Sequence, residues 1–190
     1  MEDRALETLK SMLVSRKIKV DGVEILAAPL DETRMYNIGG ILVVFNEKSR
    51  LNENALQSYI TFSEENNYTH GTIVVCLVPP SENVVNVIRN HNKEKKPLLQ
   101  LFDIRRLQFD ITQHRRVPAH RIITEEELMK LEKKMNIVDP KKQLPWIDSQ
   151  DAMAKWIGAK PGDVVEITRF SESGGNVLYY RYCVANVLET

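Results

Sequence analysis

The stretch "GAKPGDVVEITRFSESGGNVLYYRY", residues 158–182, decides the fold of the C-terminal part of this 190-residue chain. Pro161-Gly162 suits a type II turn, because proline sets the first central residue and glycine accepts positive φ at the second. The alternation that follows predicts a strand, a polar glycine-rich turn and a second strand. In the plain reading, Val165, Ile167 and Leu178 hold the core while Ser171 and Glu172 make a solvated turn. Arg169, Ser171, Glu172 and Arg181 exceed what a hairpin needs. Arginines on neighbouring strands suit recognition of partner carboxylates.

Upstream of the hairpin, the predicted elements are short and capped. Asp151 to Ile157 reads as a short helix with Asp151 as N-cap and Gly158 as its stop. Thr124 and Glu127 form a Thr-x-x-Glu capping box that opens a helix carrying Leu128, Leu131 and Met135. "VDPKKQLPWID" reads as a proline-punctuated loop, in which Trp146 is a candidate interface anchor. Trp156 shares a face with Met153 and Ile157 and reads as core. Together these make a small α+β unit.

The first 115 residues follow a different pattern. Leu6, Leu9 and Leu13 mark a helix over residues 5–16, and "IGGILVVFNE" reads as a buried strand entered through glycines. Asn52 caps a second amphipathic helix over residues 53–66. "THGTIVVCLV" is apolar on both faces, as befits a central covered strand. Pro79-Pro80 and Ser81 then lead into a helix carrying Val84, Val85 and Ile88. "RLQFDIT" alternates Leu107, Phe109 and Ile111 with polar residues and predicts a half-buried strand. Helices alternating with strands predict an α/β layer.

Composition excludes several functions. Of 26 basic and 26 acidic residues, 16 and 15 precede Val117, leaving 10 and 11. Neither part concentrates the Lys and Arg that a free nucleic-acid binder uses to displace counterions. The longest apolar runs, such as Ile73 to Val78, fall short of the roughly 20 residues that span a bilayer, and "MEDRALETLK" lacks an apolar signal core. An intracellular soluble chain with no membrane contact is expected. Cys76 and Cys183 are isolated, and Pro118 breaks helical spacing between His114 and His120, so no metal and no cofactor are expected. No phosphate-binding loop or nucleophile motif occurs, so no catalytic residue is expected. A metal-dependent nuclease site would need an acid-x-Lys on a strand. Here Glu47 directly precedes Lys48, and the two would point to opposite faces.

From Val117 onward, "VPAHRIITEEE", "QLPWI", "DAMAKWIGAKPGDVVEI" and "RFSESGGNVLYYR" resemble the assembly domain of the fifth small subunit shared by eukaryotic nuclear RNA polymerases. The archaeal counterpart of that subunit has this domain alone. "THGTIVVCLVPPSENV" and "LQFDIT" resemble the N-terminal jaw domain of the eukaryotic members. Trp146, Ala152, Pro161, Glu166 and Asn176 replace an arginine, a proline, an arginine, a lysine and an arginine of the family pattern, as in a diverged or specialised copy. The resemblance implies an α/β N-terminal jaw domain over 1–115 and a small α+β C-terminal assembly domain over 117–190. It implies a non-catalytic, nuclear polymerase subunit, nucleolar if dedicated to the ribosomal-RNA polymerase, with no small-molecule substrate. Trp146, Lys155, Arg169, Ser171, Glu172 and Arg181 would face the largest subunit. Pro80 and Ser81 would lie near downstream duplex DNA, within the assembled enzyme only. A free-standing transcription-associated scaffold and a degenerate nuclease are the alternative readings.

Overall fold

A computed structural model describes residues 1–20, 22–27, 33–47, 50–94 and 96–189. Its contacts cluster into two compact units, Met1–Asp110 and Ile111–Thr190. Lys48, weighed above against Glu47, lies outside the described residues. Among the described residues, no helix is long and apolar enough to cross a membrane.

The first unit runs α1 (Glu2–Ser15), β1 (Val23–Leu26), β2 (Thr33–Ile38), β3 (Ile41–Asn46), α2 (Glu53–Glu65), β4 (Thr72–Cys76), α3 (Glu82–Lys93) and β5 (Leu99–Asp103). The strands form one sheet in the order β1-β2-β3-β4-β5. The first two pairings are antiparallel and the last two parallel. Gly39 and Gly40, both at positive φ, make the tight β2–β3 turn; a side chain on Gly39 would strike the Lys19 carbonyl. β3 and β4 are buried along their whole length, so no alternation shows in their sequence. On one face Met35, Leu42, Val44, Val74 and Leu101 pack against Leu56, Tyr59 and Ile60 of α2 and Val84 and Ile88 of α3. The opposite face carries Gln100, which pairs with Ile73. Arg16, at the end of α1, donates to its amide oxygen at 2.7 Å. The Asn52 side chain caps α2 by accepting from Ala55 N–H, as its sequence position suggests.

Residues 106–112 are not a strand. The Asp103 carboxylate accepts from Arg105 N–H and tips the chain into a 3-10 turn, Ile104–Leu107, followed by another at Ile111–Gln113. Leu107 is buried, but Phe109 is 62% exposed. The last strand of the sheet is instead the apolar run immediately upstream, β5.

The second unit runs β6 (Ala119–Ile122), α4 (Glu125–Met135), α5 (Pro140–Gln143), β7 (Trp146–Asp148), α6 (Ala152–Ile157), β8 (Val164–Ser171) and β9 (Gly175–Val184). Its sheet has the order β6-β8-β9-β7. Thr124 and Glu127 make the full capping box, and Asp151 caps α6, which Gly158 ends at φ 77°. The loop expected at 138–148 is structured: Asp139 caps a one-turn helix with Pro140 in its first turn, and Trp146 begins β7. Both faces of the sheet are covered. Val165, Ile167 and Cys183 pack with Ile147 and with Ala154 of α6, while Val164 packs with Ile123, Leu144 and Leu131 of α4. Trp156 is core at 4% exposure, but Leu178 is half exposed, because it faces an open groove beside α4.

Candidate partner-binding site

The β8–β9 hairpin is held at its base by a compact polar device. Gly162, at φ +107°, closes the Pro161 turn. Asp163 N–H donates to the Lys160 carbonyl, and the Asp163 carboxylate accepts from Lys160 N–H at 2.7 Å. Burial pushes the Asp163 carboxyl above its usual range, against the opposing pull of that hydrogen bond. Cys183 N–H donates to Asp163 C=O and Gly162 N–H to Cys183 C=O, so the turn is stitched to β9. Burial raises the Cys183 thiol to about 12, which leaves it an inert core group.

Register assigns each side chain to a face. Val165 opposes Arg181, Ile167 opposes Tyr179, and Arg169 opposes Val177. Directly opposed residues share a face, so Arg169, Tyr179 and Arg181 lie on the face that α6 covers lower down. The two arginines are four ladder positions apart, about 13 Å at 3.3 Å per residue. They form no single clamp. The Arg169 guanidinium sits 5.2 Å from the centre of the Tyr179 ring. Arg181 Nη1 donates to the Trp146 carbonyl at 3.1 Å. Trp146 in turn donates its indole N–H to the Lys141 carbonyl. Trp146 and Arg181 are thus brought together at the β7 side, and Arg169, Ser171 and Glu172 near the tip. Ser171 lies 3.3 Å from the Ser173 hydroxyl, and Glu172 is exposed. Lys155 is half-buried on α6.

The other face holds a cluster that the sequence reading did not single out. Arg121 of β6 donates from Nε to Glu166 and from Nη1 to both oxygens of Glu127, each at 2.8 Å. Tyr180 O–H donates to the second Glu166 oxygen. The Arg121 hydrogen bond and the Thr124 N–H hold Glu127 down at about 2. One guanidinium therefore links β6, the capping box of α4 and β8. Beside it, Leu131 and Met135 of α4 and Leu178 and Tyr180 of β9 line an open groove of about 430 Å³, rimmed by Lys130 and Lys134.

In the first unit, Pro80 and Ser81 precede α3. Ser81 is its N-cap residue, yet its side chain makes no capping hydrogen bond. Glu82, in the first turn, pairs with Arg89 at 2.9 Å. Among the described residues, no three His, Cys, Asp or Glu side chains are grouped to hold a metal ion.

Comparison with known proteins points to one family. Residues 109–183 match the family described as RNA polymerase Rpb5, C-terminal domain. Over 80 residues the chain is 42% identical to DNA-directed RNA polymerase subunit Rpo5 of Sulfurisphaera tokodaii, covering 42% of this chain and 93% of that protein. The same subunit of Sulfolobus acidocaldarius is 47% identical over 77 residues, 40% of this chain and 89% of the relative. A longer alignment, 29% identical over 148 residues, reaches DNA-directed RNA polymerases I, II, and III subunit rpabc1 of Dictyostelium discoideum, covering 76% of this chain and 72% of that one. This chain, with its two sheets and its capped C-terminal hairpin, belongs to the Rpb5/Rpo5 family of DNA-directed RNA polymerase subunits.

Proposed function

We propose that the chain is a non-catalytic subunit of a nuclear DNA-dependent RNA polymerase, anchored to the largest subunit by its C-terminal residues 117–190. Trp146, Lys155, Arg169, Ser171, Glu172 and Arg181 serve as the contact set, and phosphoryl transfer with its metal ions belongs to other subunits. Residues 1–115 act as a jaw beside downstream duplex DNA, with Pro80 and Ser81 nearest to it. The observation that carries this reading is the alignment to nearly the whole of an archaeal Rpo5 subunit. The stretch that suffices as a complete subunit there is the stretch that presents the hairpin here. Balanced charge, 26 basic against 26 acidic residues, supports a jaw that meets DNA only when the rest of the enzyme holds it in place.

The test is mass spectrometry of the tagged chain purified from its own cells, with localisation of the same protein. Recovery of the two large polymerase subunits at fixed stoichiometry, and nuclear signal, is the expected result. A nucleolar signal would mark a subunit dedicated to the ribosomal-RNA polymerase. Recovery without polymerase would overturn the reading in favour of a free-standing scaffold. Tight, salt-sensitive duplex binding by the free chain would overturn the account of the jaw.

A further inference from the structure

Strand β9 is ten residues long, and only part of its outer edge is paired. It meets β8 along Gly175–Tyr182, whereas β7 meets it only at Tyr182–Val184. Tyr182 N–H donates to Pro145 C=O, and Ser149 N–H donates to Val184 C=O. Even-numbered residues of β9 therefore turn their backbone groups toward the β7 side. By the same alternation Asn176, Leu178 and Tyr180 aim their N–H and C=O groups outward, along a stretch that β7 does not reach.

Exposed edges are ordinarily blunted by lysine, proline, bulges or a covering element. Gly175–Tyr180 contains no lysine and no proline, its register with β8 has no bulge, and Leu178 and Tyr179 are 50% and 47% exposed. The first sheet is treated differently: at its β5 edge the Asn92 side chain occupies both backbone groups of Leu99.

We propose that the Asn176–Tyr180 edge is a strand-addition site for an extended segment of the polymerase partner, about five or six residues long, with apolar and acidic side chains in alternation. The backbone ladder supplies the general affinity of such a contact, and the two faces select the sequence. On one face the incoming strand lies beside Leu178 and the Met135 groove, which takes apolar side chains. On the other it lies beside Tyr179, with Arg169 and Arg181 on the same face and neither in an ion pair with a described residue. Carboxylates on the incoming strand complement them. The proposal rests on the polymerase-subunit reading and specifies how that contact is made.

Leu178→Pro removes one outward N–H and no bond to β8, so an edge strand tolerates it. Leu178→Ala keeps the N–H and loses only the side chain. Both variants are expected to melt within a few degrees of the wild-type chain. Expressed as tagged full chains, Leu178→Pro should recover at least about tenfold less polymerase, and Leu178→Ala should stay within about threefold of wild type. Hydrogen exchange reads the same ladder without any substitution. In the assembled enzyme the Asn176, Leu178 and Tyr180 amides of the wild-type chain should become slow. Equal recovery by Leu178→Pro, or fast exchange of these amides in the complex, would overturn strand addition and leave face docking through the arginines standing. Failure of the wild-type chain to recover any polymerase would overturn the functional reading itself.

Discussion

Asn92 sits near the end of α3 with its side chain buried against the β5 edge, 7% exposed. Its Nδ2 donates to Leu99 C=O at 2.8 Å, and its Oδ1 accepts from Leu99 N–H at 2.9 Å. Asn92→Ala removes both bonds at once. Leu99 is only 1% exposed, so water replaces them poorly. An orphaned buried backbone group costs roughly 1–3 kcal/mol, and two of them about 3 kcal/mol in all. For a domain of this size that lowers the melting temperature of the first unit by on the order of 10–20 °C. Asn92→Asp refines the test. The introduced carboxylate still accepts from Leu99 N–H, but its second oxygen faces the Leu99 carbonyl and helps only when protonated. The folded pKa of that carboxyl is therefore raised above the unfolded value of about 3.9. A raised pKa contributes stability that is present below the unfolded value and lost as pH rises through the folded one. The Asn92→Asp variant should thus approach wild type in acid and fall behind at neutral pH. Thermal unfolding by circular dichroism from about pH 3.5, below that unfolded value, to neutral pH measures both. An Asn92→Ala variant melting within about 3 °C of wild type, far short of the drop that two lost bonds imply, would show that solvent reaches the Leu99 edge, and the reasoning would fall.

Four further outcomes are expected. Glu127, held at about 2, stabilises the second unit above its ordinary value of 4.5 and loses that contribution as pH falls toward 2; the melting gap between wild type and Glu127→Gln should therefore close in acid. A Cβ added to Gly71, at φ +121°, would strike the Leu98 carbonyl, whereas Gly162, at φ +107°, faces open space. Gly71→Ala should cost about 3 kcal/mol or more and Gly162→Ala clearly less, read by denaturant midpoints. Arg181→Ala should cost about 1 kcal/mol through its Trp146 hydrogen bond, and Arg169→Ala less than that, while the double variant loses polymerase in pull-downs out of proportion to either; parallel losses of yield and melting temperature would assign both arginines to the fold alone. A protein beginning at Ile111, the boundary of the second unit, should unfold cooperatively by itself, and a broad non-cooperative melt would contradict this.

The elements legible in the sequence were those with local signatures. Thr124 with Glu127, Asp151 with Gly158, Asn52, and Pro161-Gly162 each make their bonds within a few residues, so spacing alone reveals them. β1 and β2 were missed because neither has a sustained apolar alternation, and their pairing depends on the neighbouring β3. The misplaced strand at 106–112 has another cause. Leu107, Phe109 and Ile111 alternate, yet Asp103 redirects the backbone before them, while β5 is buried almost throughout and shows no alternation to detect. The candidate site was legible in composition and not in geometry. Arg169 and Arg181 stand on neighbouring strands as expected, but only the register shows that they share a face, four positions apart. The Arg121 cluster joins residues 6 and 45 positions away, a juxtaposition that no local pattern encodes.

The unpaired rim of β9 also bears on dosage. Leu178 and Tyr179, each about half exposed, give a free copy of the chain an adhesive border there, which docking as proposed would hide. Copies made in excess of their partner are then the ones that self-associate or meet the degradation machinery. Under that proposal the amount of this subunit in the cell would follow the supply of the chain that covers it, with no dedicated regulator required.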